Sequence, residues 1–198
     1  DLSKVEAGRL DVESVTFRPH HVIAEVQQIM RVKAEEKGIG LRFVCEGKVV
    51  ESIQSDSARL RQMVTNLVGN AIKFTDKGEV LITERFVRID GKTMFQVAVK
   101  DSGIGIAADK LDAVFEAFVQ AESSTTRRFG GTGLGLPISR KFARALGGDI
   151  FVSSVLREGS TFTITIDPHL DDKAQWIEAS ELSKSAKSVT QGDKIKTW

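Results

Sequence analysis

The apolar positions of this chain change their spacing several times, and each change marks an element. After Pro19, Val22, Ile23, Val26, Ile29 and Met30 recur at helical spacing, with Gly38 beyond them. This pattern predicts a helix opened by proline and stopped by glycine. Leu10, Val12 and Phe17, set among polar residues, predict a short strand before it, and residues 40–45 and 49–53 predict two strands after it. Ser55-Asp56 supplies capping side chains for a long helix over residues 57–74, with Leu60, Met63, Val64, Leu67, Val68, Ala71 and Ile72 on its apolar face. Strands over 79–89 and 92–100 flank Asp90-Gly91, a two-residue hairpin signal. A short helix is expected over 109–115 and another from Pro137 to Leu146. Two closing strands, 149–155 and 161–166, surround a turn at Arg157-Glu158-Gly159.

At the two ends the pattern weakens. Residues 1–9 read as the last turns of a helix stopped by Gly8, and residues 168–198, poor in apolar positions, read as a linker or flexible tail. One domain is therefore expected over 10–167. Its mixture of elements predicts an α+β fold, a two-layer α/β sandwich whose mixed, mostly antiparallel sheet is covered on one face by three helices.

Composition narrows the function classes. A hydrophobic fraction of 41% is enough for a core, and 28 Lys+Arg against 27 Asp+Glu speak against nucleic-acid binding by bulk charge. A single Cys excludes an internal disulfide and a cysteine-cluster metal site. No run of apolar residues reaches the length of a membrane span, so no membrane contact is expected of this fragment.

The chemistry concentrates in glycine-bearing loops. Gly130-Gly131-Thr132-Gly133-Leu134-Gly135-Leu136 runs into the helix opened by Pro137. Backbone amides at the start of a helix can hold a phosphate, and glycine lets the chain come close to one. The plain alternative is a flexible loop with a tight turn. No P-loop pattern, no dinucleotide fingerprint and no H-R-D or D-F-G set occurs. On the long helix, Asn66, Asn70 and Lys73 share one face. Amide oxygens suit a hard cation such as Mg²⁺, and a lysine suits a phosphate; a solvated helix face is the alternative. Asp101 opens the loop Asp101-Ser102-Gly103-Ile104-Gly105-Ile106, where its carboxylate could accept a hydrogen bond from an exocyclic amine or cap its own turn.

These segments together resemble the motifs of sensor histidine kinases. Asn66-Leu67-Val68-Gly69-Asn70-Ala71-Ile72-Lys73-Phe74-Thr75 resembles their N box, Asp101-Ser102-Gly103-Ile104-Gly105-Ile106 the G1 box, and Val114-Phe115-Glu116-Ala117-Phe118 the F box. Phe129-Gly130-Gly131-Thr132-Gly133-Leu134-Gly135-Leu136 resembles the G2 box, and Glu158-Gly159-Ser160-Thr161-Phe162 the last motif. Their order and spacing agree over residues 10–167, and the set is most like the catalytic domains of hybrid sensor kinases.

The resemblance implies the GHKL ATPase fold, with ATP and Mg²⁺ as cofactors. It implies that Asn70 coordinates Mg²⁺ with Asn66 beside it, that Lys73 contacts phosphate, and that Asp101 reads the adenine amine. Gly103, Gly105 and Ile106 would shape the adenine pocket. Gly131, Thr132, Gly133, Leu134, Gly135 and Leu136 would bring amides to the phosphates, and Thr161 would lie near the adenine. Residues 120–129 would form a lid, in which Arg127 and Arg128 could contact the γ-phosphate, with simple solvated charge as the alternative. Expected partners are a dimerisation and phosphoacceptor helical hairpin, whose end residues 1–9 resemble and whose acceptor would precede residue 1, a response regulator receiver domain, and a second copy in a full-length homodimer. A cytoplasmic setting is implied, whether or not the full-length protein is membrane-anchored. His20, His21 and His169 lack the phosphoacceptor pattern. In ATP-hydrolysing relatives the position of Asn66 is similar to a Glu that activates water; Asn cannot act as a base, so slow hydrolysis is expected. A nucleotide-binding regulatory module and an anti-sigma-type serine kinase of the same fold remain as alternatives.

Overall fold

The computed structural model describes residues 11–116, 133–171 and 174–182. Helix α1 spans Pro19–Lys37. Proline stands in its first turn, where its missing N–H leaves no bond unmade, and Gly38 ends it at φ 70°. Helix α2 spans Ser57–Phe74. Its N-cap is Asp56, whose Oδ1 accepts from Arg59 N at 2.9 Å while Oδ2 accepts from Glu13 N at 3.0 Å. Helix α3 spans Gly135–Ala145, beginning two residues before Pro137, which the first turn tolerates.

The strands among the described residues are β1 (Val15–Phe17), β2 (Gly40–Cys45), β3 (Lys48–Val50), β4 (Ile53–Ser55), β5 (Glu79–Ile89), β6 (Lys92–Asp101), β7 (Asp149–Val155), β8 (Gly159–Ile166) and β9 (Trp176–Glu178). Five of them form the main sheet in the order β2-β5-β6-β8-β7. Only the β2–β5 pair in it is parallel. The β5–β6 hairpin turns at Asp90 and Gly91, both at positive φ, as a two-residue loop requires. Val80 and Ile82 of β5, Phe95, Val97 and Val99 of β6, and Phe162, Ile164 and Ile166 of β8 alternate onto one buried face. The apolar stripes of the helices, including Ile23, Val26, Leu60, Met63 and Leu67, pack over that face. The expected two-layer, mostly antiparallel sandwich is therefore the observed one. Among the described residues, no helix is long and apolar enough to cross a membrane.

Four expectations change. The strand expected over 49–53 is two strands, because β4 pairs with β1 while β3 pairs with β9. The helix expected over 109–115 is instead a pair of single 3-10 turns, Ala108–Lys110 and Ala113–Phe115. Neither turn has a side-chain cap, and so short a segment cannot recover the cost of helix nucleation. The segment 168–182 is not without structure: β9 pairs antiparallel with β3, Trp176 meets Phe86 edge to face at 5.2 Å, and Leu170 and Ala174 pack against the core. Finally, β6 and β8 run one and two residues further than expected, which pairs Asp101 with Ser160. The helix remnant expected over 1–9 and the lid expected over 120–129 lie outside the described residues.

Candidate nucleotide site

The polar face of α2 carries Asn66, Asn70 and Lys73, all half-buried, while Leu60, Met63 and Leu67 point into the core. Asn66 Nδ2 donates to Ser139 Oγ at 3.0 Å, bridging α2 to α3 across 73 residues of sequence. A Cβ added to Gly135 would overlap Asn66 Oδ1, so a side chain there would push the Asn66 amide out of its present position. The first amides of α3 have no partner within the helix, and they therefore offer N–H groups beside Asn66. Leu134 precedes that turn, Gly133 is in the left-handed region at φ 67°, and Leu136 anchors the turn against the core. Gly131 and Thr132 lie outside the described residues, as do Arg127 and Arg128. Burial holds the Lys73 ammonium below the usual lysine range, and its Nζ lies 4.8 Å from the centre of the Phe74 ring.

Asp101 ends β6 on the helix-facing side of the sheet and is only 6% exposed. Its Oδ1 accepts from Gly103 N at 2.8 Å and from Ser160 N at 3.3 Å. Burial raises its pKa above the usual carboxylate range, and these two N–H groups pull it back. The turn-capping use foreseen for Asp101 is thus real but occupies one oxygen; Oδ2 carries neither bond. The loop that follows is clamped on both sides. Ile104 N donates to Phe74 O at 3.3 Å, and Gly103 lies so close to that carbonyl that a Cβ would overlap it. Gly105, at φ 67°, lies against Val155 O, and Ile106 N donates to Ser154 Oγ at 2.7 Å.

The structure therefore brings Asn66 to Gly135, and it brings Asp101 to Gly103 and to the end of α2. Thr161 is a correction. It pairs with Lys100, so the pleat turns it to the face opposite Asp101, and its neighbour Ser160 takes the place beside the carboxylate. Ser160 Oγ lies 2.9 Å from Ser154 Oγ, which donates to Gly159 O at 2.8 Å. Ser139, Ser154 and Ser160 were not foreseen. The available signal for Ser160 was its alternation with Phe162, and for Ser139 its place one helical turn after Gly135.

A carboxylate whose Oδ2 lies outside both of these bonds, beside a glycine loop, together with helix amides beside Asn66, suits an aminated base bearing phosphates. Comparisons with known proteins agree. The family model described as "Histidine kinase-, DNA gyrase B-, and HSP90-like ATPase" matches residues 55–170. The chain is 40% identical over 172 residues to the signal transduction histidine-protein kinase BarA of Escherichia coli K12, covering 86% of this chain and 19% of BarA. It is 36% identical over 169 residues to the autoinducer 2 sensor kinase/phosphatase LuxQ of Vibrio vulnificus CMCP6, covering 84% of this chain and 20% of LuxQ. The chain thus spans about a fifth of the length of these relatives. Among solved structures, full-length ShkA in complex with AMPPNP superposes with a TM-score of 0.76 at 31% identity, over 87% of this chain and 34% of ShkA. The catalytic domain of histidine kinase ThkA superposes at 0.66 with 27% identity, over 79% of this chain and 97% of that domain. The chain belongs to the histidine kinase-, DNA gyrase B- and HSP90-like ATPase family, and within it to the ATP-binding catalytic domains of sensor histidine kinases.

Proposed function

We propose that this chain binds ATP with Mg²⁺ and transfers the γ-phosphate to a histidine on a dimerisation domain outside this sequence, for relay to an aspartate of a response regulator, within a homodimeric full-length protein. The observation that carries the reading is Asp101, braced on Oδ1 by two backbone N–H groups with Oδ2 left for an adenine amine. Gly103 and Gly105 bring the backbone close there, and Ile106 follows them in the same loop. Asn66 and Asn70 present amide oxygens of the kind Mg²⁺ accepts, so the residues fit that ion. When bound, it neutralises charge on the phosphates. Lys73 adds a point charge, and the amides from Gly133 to Leu136 receive phosphate oxygens.

Transfer of this kind depends on positioning and on neutralised charge more than on covalent help from the protein. The imidazole nitrogen forms an N–P bond as the bond from the γ-phosphorus to its bridging oxygen breaks. ADP leaves with that electron pair, and the phosphorylated ring sheds its proton to solvent. Asn66, held by Ser139, offers no base to water, which favours transfer over hydrolysis. Calorimetric titration of ATP–Mg²⁺ tests the site: Asp101→Ala is expected to lose at least tenfold in affinity, and equal affinity would overturn the assignment. Asn70→Ala is expected to abolish the Mg²⁺ dependence of binding. With a dimerisation and phosphoacceptor domain supplied, the product is expected to be acid-labile and alkali-stable phosphate; acid-stable phosphate would point to serine instead.

A further inference from the structure

Lys37 closes α1, and Gly38 turns the chain away immediately after it. A lysine in the last turn of a helix ordinarily complements the dipole of its own helix. Here the ammonium reaches another helix. Lys37 Nζ donates to the carbonyls of Ile72 at 2.8 Å, Lys73 at 2.7 Å and Thr75 at 2.8 Å. An ammonium has three N–H groups, and each has a carbonyl to meet.

The end of α2 shows why this matters. Thr75, its C-cap, is extended at φ −105° and ψ 113°, so the helix lacks the left-handed cap that would close its last carbonyls on backbone amides. Four carbonyls there have no intrahelical donor. Ala71 O accepts from Thr75 Oγ1 at 2.8 Å, Ile72 O and Lys73 O accept from Lys37, and Phe74 O accepts from Ile104 N at 3.3 Å. Asp76, 3.7 Å from Lys37 Nζ, balances the charge. The carbonyls that Lys37 holds lie in the turn that presents Lys73. They also border the carbonyl on which the loop after Asp101 is seated, with Gly103 pressed against it.

We infer that Lys37 is a positioning residue for the nucleotide site, its ammonium fixing the last turn of α2 so that Lys73 and the loop from Asp101 to Ile106 stand where ATP meets them. The inference rests on the ATP reading above. The experiment compares Lys37→Met, Lys37→Arg and Asp101→Ala with the unchanged chain at a temperature where circular dichroism shows all of them folded. Two quantities are read: the affinity for ATP–Mg²⁺, and the hydrogen exchange of the Ile104 amide. Lys37→Met is expected to bind about tenfold more weakly and to exchange the Ile104 amide about tenfold faster, while amides inside α1 are unchanged. Lys37→Arg, which keeps a cation and its donors, is expected to return to within about threefold of the unchanged chain. A folded Lys37→Met with lowered melting temperature but unchanged affinity and unchanged Ile104 protection would overturn the inference and leave an ordinary helix cap. If Lys37→Met does not fold, Lys37→Gln is measured in the same two ways. If Asp101→Ala keeps full affinity, the ATP reading fails, and Ile104 protection still decides the role of Lys37.

Discussion

At the residue scale, a carboxyl group in an apolar interior stays neutral unless N–H groups or a cation meet it. Asp101 and Glu84 show the two outcomes on neighbouring strands. Asp101 receives two N–H groups and is held as an acceptor. Glu84 is 0% exposed on the core face of β5, with Cys45 and Val97 opposite it on the flanking strands, and the Cys45 thiol, a weak donor, is the polar group beside its oxygens. Burial pushes Glu84 up to about 8, and burial beside Glu84 pushes the Cys45 thiol up to about 12. A raised acid favours the folded state below its unfolded pKa, and that advantage is lost as pH rises through the folded value. Burial presses His20 down to about 4, so His20 acts in the opposite sense below its ordinary range. Above the ordinary histidine range the opposing effect of His20 is spent, while that of Glu84 continues to about pH 8. Urea unfolding across that window is expected to show stability falling by up to ~1.4 kcal/mol per pH unit. In Glu84→Leu the fall is expected to vanish and stability at pH 8 to rise.

At the element scale, α2 was legible from its sequence because its signals act within a few residues. Asp56 caps it, and seven apolar side chains share one face. Asp56→Ala is expected to destabilise by about 1–2 kcal/mol in denaturant titration, toward the upper end because the same carboxylate also holds Glu13 N. The start of α3 separates local preference from tertiary demand. Alanine is the better helix former by about 1 kcal/mol, yet a Cβ at Gly135 overlaps Asn66 Oδ1. Gly135→Ala is accordingly expected to keep or raise the melting temperature while weakening ATP–Mg²⁺ binding at least tenfold in calorimetry. The 3-10 turns at 108–115 were misread as a helix because nothing in the local pattern records that a segment is too short to nucleate.

At the scale of the whole molecule, β9 shows how far the fold reaches beyond the expected domain end. Phe86, on which Trp176 rests, is six residues along β5 from Val80, the partner of Asp101, or roughly 20 Å at the rise of a strand. A chain ending at Asp167 is expected to melt roughly 5–10 °C lower, with ATP affinity unchanged within about twofold, in parallel thermal and calorimetric measurements. Loss of ATP binding on that truncation would show that the segment supports the site as well as the core.

The sequence by itself determined the long helices, the hairpin at Asp90-Gly91, the alternating faces of the sheet, and the motifs around Asn66, Asp101 and Gly135. Each of these is written in spacing, in caps, or in residues whose backbone freedom shows wherever they stand. Tertiary structure alone decided which neighbour faces which. It placed Ser160 rather than Thr161 beside Asp101, Ser139 on Asn66, β9 on β3, and the Lys37 ammonium on the carbonyls of another helix. Those contacts join residues far apart in the chain, and a strand's facing inverts with a shift of one residue in register. Local pattern carries no record of either.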